Sequence, residues 1–172
     1  TTPAAEKGPL DFTVSTELRA QNQQKMLAGF GTLYPDLATD LEDQDIIGMV
    51  AEPLAGAGMK VDNLGDAFTA WLLTNHGIVK GYDTDATPAQ VEGTKKLAYE
   101  AMLALPDIQT MTDADKQGIA EALLLQAIIN QVMIDARKEH NPDSLPAAVE
   151  EVRNSAKQSG IDLDKFVLTQ NG

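Results

Sequence analysis

The sequence predicts an all-α fold: a compact bundle of about seven helices, with a central helix near 113–139 and a docked non-helical C-terminal tail. Three observations carry that prediction. Helix-start chemistry precedes apolar stripes of period 3.6, most clearly in the segment from Asn63 to Leu72, where Leu64, Ala67, Phe68, Trp71 and Leu72 share one helical face. A second stretch, from Ile119 to Ile134, is apolar on nearly every side, which suits a helix surrounded by others. No alternating apolar–polar run is long enough for a sheet.

Residues 1–12 read as an extended or mobile arm, because two prolines and a glycine fall within the first nine positions; residues 13–172 read as one helical domain. A first helix is expected from near Ser15 to about Leu33, with Leu18, Met26, Phe30 and Leu33 as its sparse stripe and the amides Gln21 to Gln24 facing water. Pro35 pre-sets the backbone for a second, short helix from Asp36 to about Asp43. A third spans Ile46 to Ala55 and closes at Gly56-Ala57-Gly58, where glycine permits a left-handed turn.

The fourth helix opens at Asn63, whose side chain can accept from first-turn N–H groups, while Asp66 favours the positive end of the helix dipole. Asn75-His76-Gly77 is expected to stop it. Thr87-Pro88-Ala89-Gln90 combines a capping box with proline at the first helical position and starts the fifth, which ends at Pro106. Thr112-Asp113-Ala114-Asp115 starts the sixth and longest, running to about Glu139. The seventh takes Ser144 as its cap and ends at Gly160, after which the half-apolar run from Ile161 to Leu168 should dock on the bundle.

At 172 residues, a single domain buries roughly 70% of the surface its unfolded chain exposes, so neither a disulfide nor a metal is needed as a staple. Thirteen basic residues against twenty-six acidic ones give a net charge of −13, which opposes the counterion release that drives nucleic-acid binding. Nucleic acid is not expected as a partner, and an anionic membrane surface is disfavoured for the same reason. A basic protein remains compatible with that charge. The absence of cysteine removes disulfide frameworks, thiolate nucleophiles and cysteine-ligated metal sites together. The richest apolar run, Ala120 to Met133, is interrupted by Glu121, Gln126, Asn130 and Gln131, so membrane insertion is not expected. The small, Pro-containing leader from Thr1 to Pro9 reads like a terminus left by signal-peptide cleavage, so an exported protein, periplasmic or extracellular, is expected.

Candidate chemistry is sparse. Asp83 and Asp85 resemble the first half of a calcium loop, but Pro88 and Thr94 stand where an EF-hand needs glycine and a bidentate acid, so an ordinary turn before a helix accounts for them. His76 and His140 sit at expected helix ends and form no His-Glu-x-x-His pair, which leaves a capping or surface role. The serines lack the strand–turn–helix elbow of an activated nucleophile. Paired carboxylates are the one enzymatic pattern such a chain could hide, and Asp66 and Glu121, each on a helix rich in core residues, are the candidate pair for a glycan hydrolase. A first-turn cap at Asp66 and a dipole partner at Glu121 explain them more simply. Gln126 and Asn130 lie four apart and, if buried, should form a hydrogen-bonded rung, which with Trp71 and His76 makes the only candidate binding set. No cofactor is implied.

At these residues the chain resembles a family of exported bacterial proteins described only as a domain of unknown function. The likeness rests on Asn63-x-x-Asp66-Ala67-Phe68 with Trp71, on Gln117-x-x-Ala120-Glu121 with the apolar helix that follows, and on Gly160-Ile161-Asp162-Leu163 leading to Leu168-Thr169. The resemblance implies export and a helical fold, and it transfers no catalytic residue. The expected function is therefore a non-enzymatic interaction or structural protein of the bacterial envelope or exterior, self-associating through the N-terminal arm. Two other readings stand beside it: an acidic inhibitor or immunity-type module binding a basic protein through Asp36, Asp40, Glu42, Asp43 and Asp45, and the hydrolase using Asp66 and Glu121.

Overall fold

The first N–H groups of a helix have no partner within it, and at five helix starts a side chain supplies one. The computed structural model describes residues 7–32 and 34–170. Among them are seven α-helices: α1 (Thr16–Gly31), α2 (Pro35–Leu41), α3 (Ile46–Gly56), α4 (Leu64–Lys80), α5 (Pro88–Leu103), α6 (Asp113–His140) and α7 (Leu145–Gln158), with a short 3-10 turn, Pro142–Ser144, before α7. Ser15, Asp45, Asn63, Thr87 and Thr112 accept from Leu18, Gly48, Asp66, Gln90 and Asp115 respectively. Full capping boxes form at Thr87/Gln90 and Thr112/Asp115. Ser144 is the exception: it ends the 3-10 turn, and its hydroxyl donates to the Asn141 carbonyl at 2.8 Å instead of capping α7.

Three of the helices close on left-handed glycines, Gly58, Gly81 and Gly160, at φ of 77°, 69° and 83°. After α7 the Ile161 N–H returns to the Ala156 carbonyl at 2.9 Å, which satisfies a terminal carbonyl and turns the chain back over the bundle.

α6 lies at the centre. Ser15 meets Gln117 at one end of the α1–α6 pair and Tyr34 meets Arg137 at the other, so α1 runs parallel to α6. Trp71 meets Gln126 and Asn75 meets Asn130, so α4 runs parallel to it as well. α5 packs against α4, and α7 covers both α4 and α6. One apolar cluster gathers Leu10, Phe12, Ile46, Ile47, Leu64 and Leu125; a second gathers Phe68, Trp71, Ile134, Val152 and Leu163. α6 has the length and apolar composition to cross a membrane, and nearly half of that stretch is buried inside the bundle. The tail docks as expected, with Leu163 fully buried.

Beyond Ser144, the structure departs from the sequence reading in α4 and in α1. α4 does not stop at Asn75-His76-Gly77 but continues to Lys80, because the Asn75 and His76 side chains find partners on α6 and the tail instead of capping a helix end. The buried residues of α1 are Gln23 and Leu27, so the amide run does not face water throughout: Gln23 donates to the Gln44 carbonyl and accepts from the Ile46 N–H, bracketing the start of α3. Part of the N-terminal arm, residues 1–6, lies outside the described residues. The rest of it turns at Pro9–Leu10, where the Asp11 N–H returns to the Gly8 carbonyl, and is pinned, with Leu10 and Phe12 fully buried and backbone bonds from Phe12 N–H to Asp62 and from Leu64 N–H to Leu10. Thr13 N–H donates to Asp113 at 2.9 Å, and that bond, with Lys7 beside it, holds the Asp113 carboxyl well down, at about 2.

Candidate functional site

Both buried carboxylates among the described residues, Asp66 and Glu121, are already engaged by protein donors. Asp66, in the first turn of α4, is almost wholly buried; its Oδ2 accepts from the Lys60 N–H at 2.9 Å, and its Oδ1 from the Tyr99 hydroxyl and the Lys95 ammonium, both at 3.0 Å. Burial and the adjacent Asp66 carboxylate push the Tyr99 phenol far up, so it stays a donor. Asp66 is thus more than a helix cap: it ties α4 to α5 and to the loop before it.

Glu121 is fully buried and sits in the third turn of α6, beyond the reach of a first-turn dipole role. Its Oε1 accepts from Arg19 at 3.0 Å and from Gln117 at 2.9 Å, and its Oε2 from Asn22 at 2.7 Å. Gln117 also exchanges two bonds of 2.8 Å with the Ser15 backbone. The Gln117 and Asn22 amides and the Arg19–Glu121 ion pair therefore fix α1 against α6. The Asp66 and Glu121 donor sets share no residue, and neither carboxylate borders either of the two grooves described below.

Gln126 and Asn130 are half-buried and bond not each other but residues of α4 and α7. The Trp71 indole N–H donates to Gln126 Oε1 at 2.6 Å, Gln126 reaches on to Ser155 of α7 at 3.4 Å, and Asn130 donates to Asn75 at 2.8 Å. Asn75 in turn donates to the Trp71 carbonyl. Trp71 is buried against Phe68, with ring centroids 6.0 Å apart. His76 is not on a helix end but buried within α4, correcting the surface role expected for it. Since a carbonyl can only accept, His76 Nε2 carries the proton in its 2.9 Å bond to Phe166, and its buried Nδ1 has no partner. Burial, seconded by the Lys80 charge, lowers the imidazole pKa against the opposing effect of the Phe166 bond. His140 is exposed at the end of α6.

What remains open is a half-enclosed apolar trough of about 820 Å³. Its floor is Leu73 of α4 with Leu124, Ile128 and Val132 of α6, and one wall is Val50, Pro53 and Leu54 of α3. The mouth carries Tyr82, Asp83 and Asp85 from the loop after α4, and Asp135 and Lys138 from α6. Asp83 is ion-paired to Lys138 at 3.0 Å. Among the described residues no three His, Asp or Glu side chains converge to hold a metal, and Asp83 and Asp85 serve as part of this rim. Gly77 also lines the trough, and a Cβ placed on it would meet nothing within 4 Å. A smaller groove of about 480 Å³ lies between α1 and α6, bordered by Gln126, Asn130, Asn22 and Lys25.

The sequence reading missed the trough. Its signal was α3, whose Ile46-Ile47-Gly48-Met49-Val50-Ala51 run is apolar on all sides although only Ile46 and Ile47 are buried. Met49 is 62% exposed on that helix.

The fold and this apolar trough define an all-α helical-bundle domain with a surface groove. The chain belongs to the family of unknown function DUF6683, whose family model matches residues 13–172. No curated protein and no solved structure matches it.

Proposed function

We propose that this protein is a non-enzymatic binding protein whose working surface is the trough between α3, α4 and α6, and whose ligand is another protein. The observation that carries this reading is the contrast in what each polar group faces. Asp66 and Glu121 point at protein donors, whereas the trough offers contiguous apolar surface to solvent, which marks interaction sites. Self-association through the arm is less well supported, since it would have to withdraw Leu10 and Phe12 from the bundle's own core. Export to the bacterial periplasm or exterior belongs to the same proposal, on the strength of the family resemblance alone, and fractionation of source cells tests it.

Gly77→Phe fills the trough from a helical position with free space around it, so it separates binding from folding. Wild type and Gly77→Phe are used as matched baits in an extract of the source cells. A partner held by wild type, lost with Gly77→Phe and then rebuilt from purified components supports the reading. Identical retained sets count against it.

A further inference from the structure

We propose that the trough takes the apolar face of a basic amphipathic helix of about four turns. The inference rests on the binding reading above and adds the chemistry of the partner.

Shape comes first. The trough is open along one side, so it cannot surround a small ligand as an enclosed pocket does, but it can receive one face of a rod. It follows α6 from Leu124 to Lys138, a rise of about 21 Å, the length of a helix of about 14 residues.

Backbone chemistry then selects the helix. The floor and the α3 wall are helical, with the loop after α4 only at the mouth, and no strand stands among the described residues that line the trough, so no sheet edge is offered to an extended peptide. Such a peptide would set its own N–H and C=O groups against Leu73, Ile128 and Val132 with nothing to pair them. A helix satisfies those groups internally and presents side chains alone.

Charge selects the sign. The rim carries the carboxylates of Asp83, Asp85 and Asp135 against the single ammonium of Lys138, so three negative charges and one positive leave −2, on a chain of −13. Asp83 is already shared with Lys138, while Asp85 and Asp135 are exposed and free of any described cation. Lysines or arginines flanking the apolar face of the guest meet these carboxylates; acidic flanks are repelled.

The test is fluorescence anisotropy with the full chain and three labelled 14-residue peptides. One has a leucine face and lysine flanks, the second has glutamate for lysine, and the third keeps the first composition with two central prolines that forbid a helix. The lysine helix is expected to bind. Gly77→Phe, with unchanged circular dichroism, is expected to weaken it about 100-fold, as loss of a central apolar contact does. Replacing Asp83, Asp85 and Asp135 together by Asn is expected to cost about tenfold at low salt and to flatten the salt dependence.

Equal binding of the glutamate or the proline peptide, lost in Gly77→Phe, overturns the basic-helix assignment while the trough stands as a docking surface. Binding of the lysine helix that survives Gly77→Phe overturns both, since the charge alone then accounts for it. No peptide binding, with a dimer in sedimentation that Gly77→Phe dissociates, replaces the basic helix by a second copy of this chain and overturns the proposal.

Discussion

The polar framework around Asp66 and Glu121 and the trough beside α3 handle polar groups in opposite ways. In the framework the carboxylates are inside and each oxygen accepts from a named donor. In the trough the carboxylates stand on the rim in water and the floor is hydrocarbon. The contrast teaches that burial of a charged side chain is no sign of chemistry when its donors come from neighbouring helices: such a group fixes which helix faces which. A surface that adds little to folding is the one free to bind.

The sharpest way to break this comparison is to remove a framework carboxylate. Glu121→Ala leaves Arg19, with a side chain only 16% exposed, with no carboxylate nearer than the exposed Asp45 at 4.0 Å, and is expected to cost about 3–5 kcal/mol in denaturant unfolding. A change below about 1 kcal/mol would mean that the network is not structural. Gly65→Ala comes next: its Cβ would lie 2.5 Å from the Tyr99 ring and 2.9 Å from Leu10, so Tyr99 must leave Asp66 or the arm must shift. A loss of about 1–3 kcal/mol is expected from that overpacking, and Tyr99→Leu in the same chain should restore part of it.

The helix starts were legible because they are local. Ser15, Asn63, Thr87 and Thr112 bond residues three positions on, and Gly160 needs only its own backbone freedom. The end of α4 was not legible, since Asn75 and His76 terminate helices in isolation and here are held by Asn130 and Phe166, far away in sequence. For the same reason Asp66 and Glu121 could be picked out as core acids, while their donors Tyr99 and Arg19 could not. The trough is assembled from α3, α4 and α6, so no window of the sequence contains it.

His76 gives a smaller effect with a definite sign. Its folded pKa is lowered, so below the ordinary imidazole value of 6.5 the unfolded chain binds more protons than the folded one. The tail is fully held above that value, and its docking weakens as pH falls from 6.5 through the folded pKa. Trypsin cleavage after Lys165, which is exposed, taken at each pH relative to trypsin cleavage of a free peptide of the same sequence, should accelerate over that range, and His76→Phe should abolish the pH dependence of that ratio. An unchanged rate from pH 7.5 to 5 would show that His76 does not control the tail. The smallest expected effect is that of Gly77→Phe on stability, within about 0.5 kcal/mol of wild type, since phenylalanine is the better helix former and the space is open.

The most direct test of the division between framework and trough is the denaturant midpoint of wild type, Glu121→Gln and Gly77→Phe, each with and without a saturating lysine-flanked helix. A ligand that binds only the folded state raises the midpoint. The account predicts that the peptide raises it for wild type and for the destabilised Glu121→Gln, whose trough is intact, and raises it far less for Gly77→Phe. An equal rise in Gly77→Phe, or none in Glu121→Gln, would contradict it.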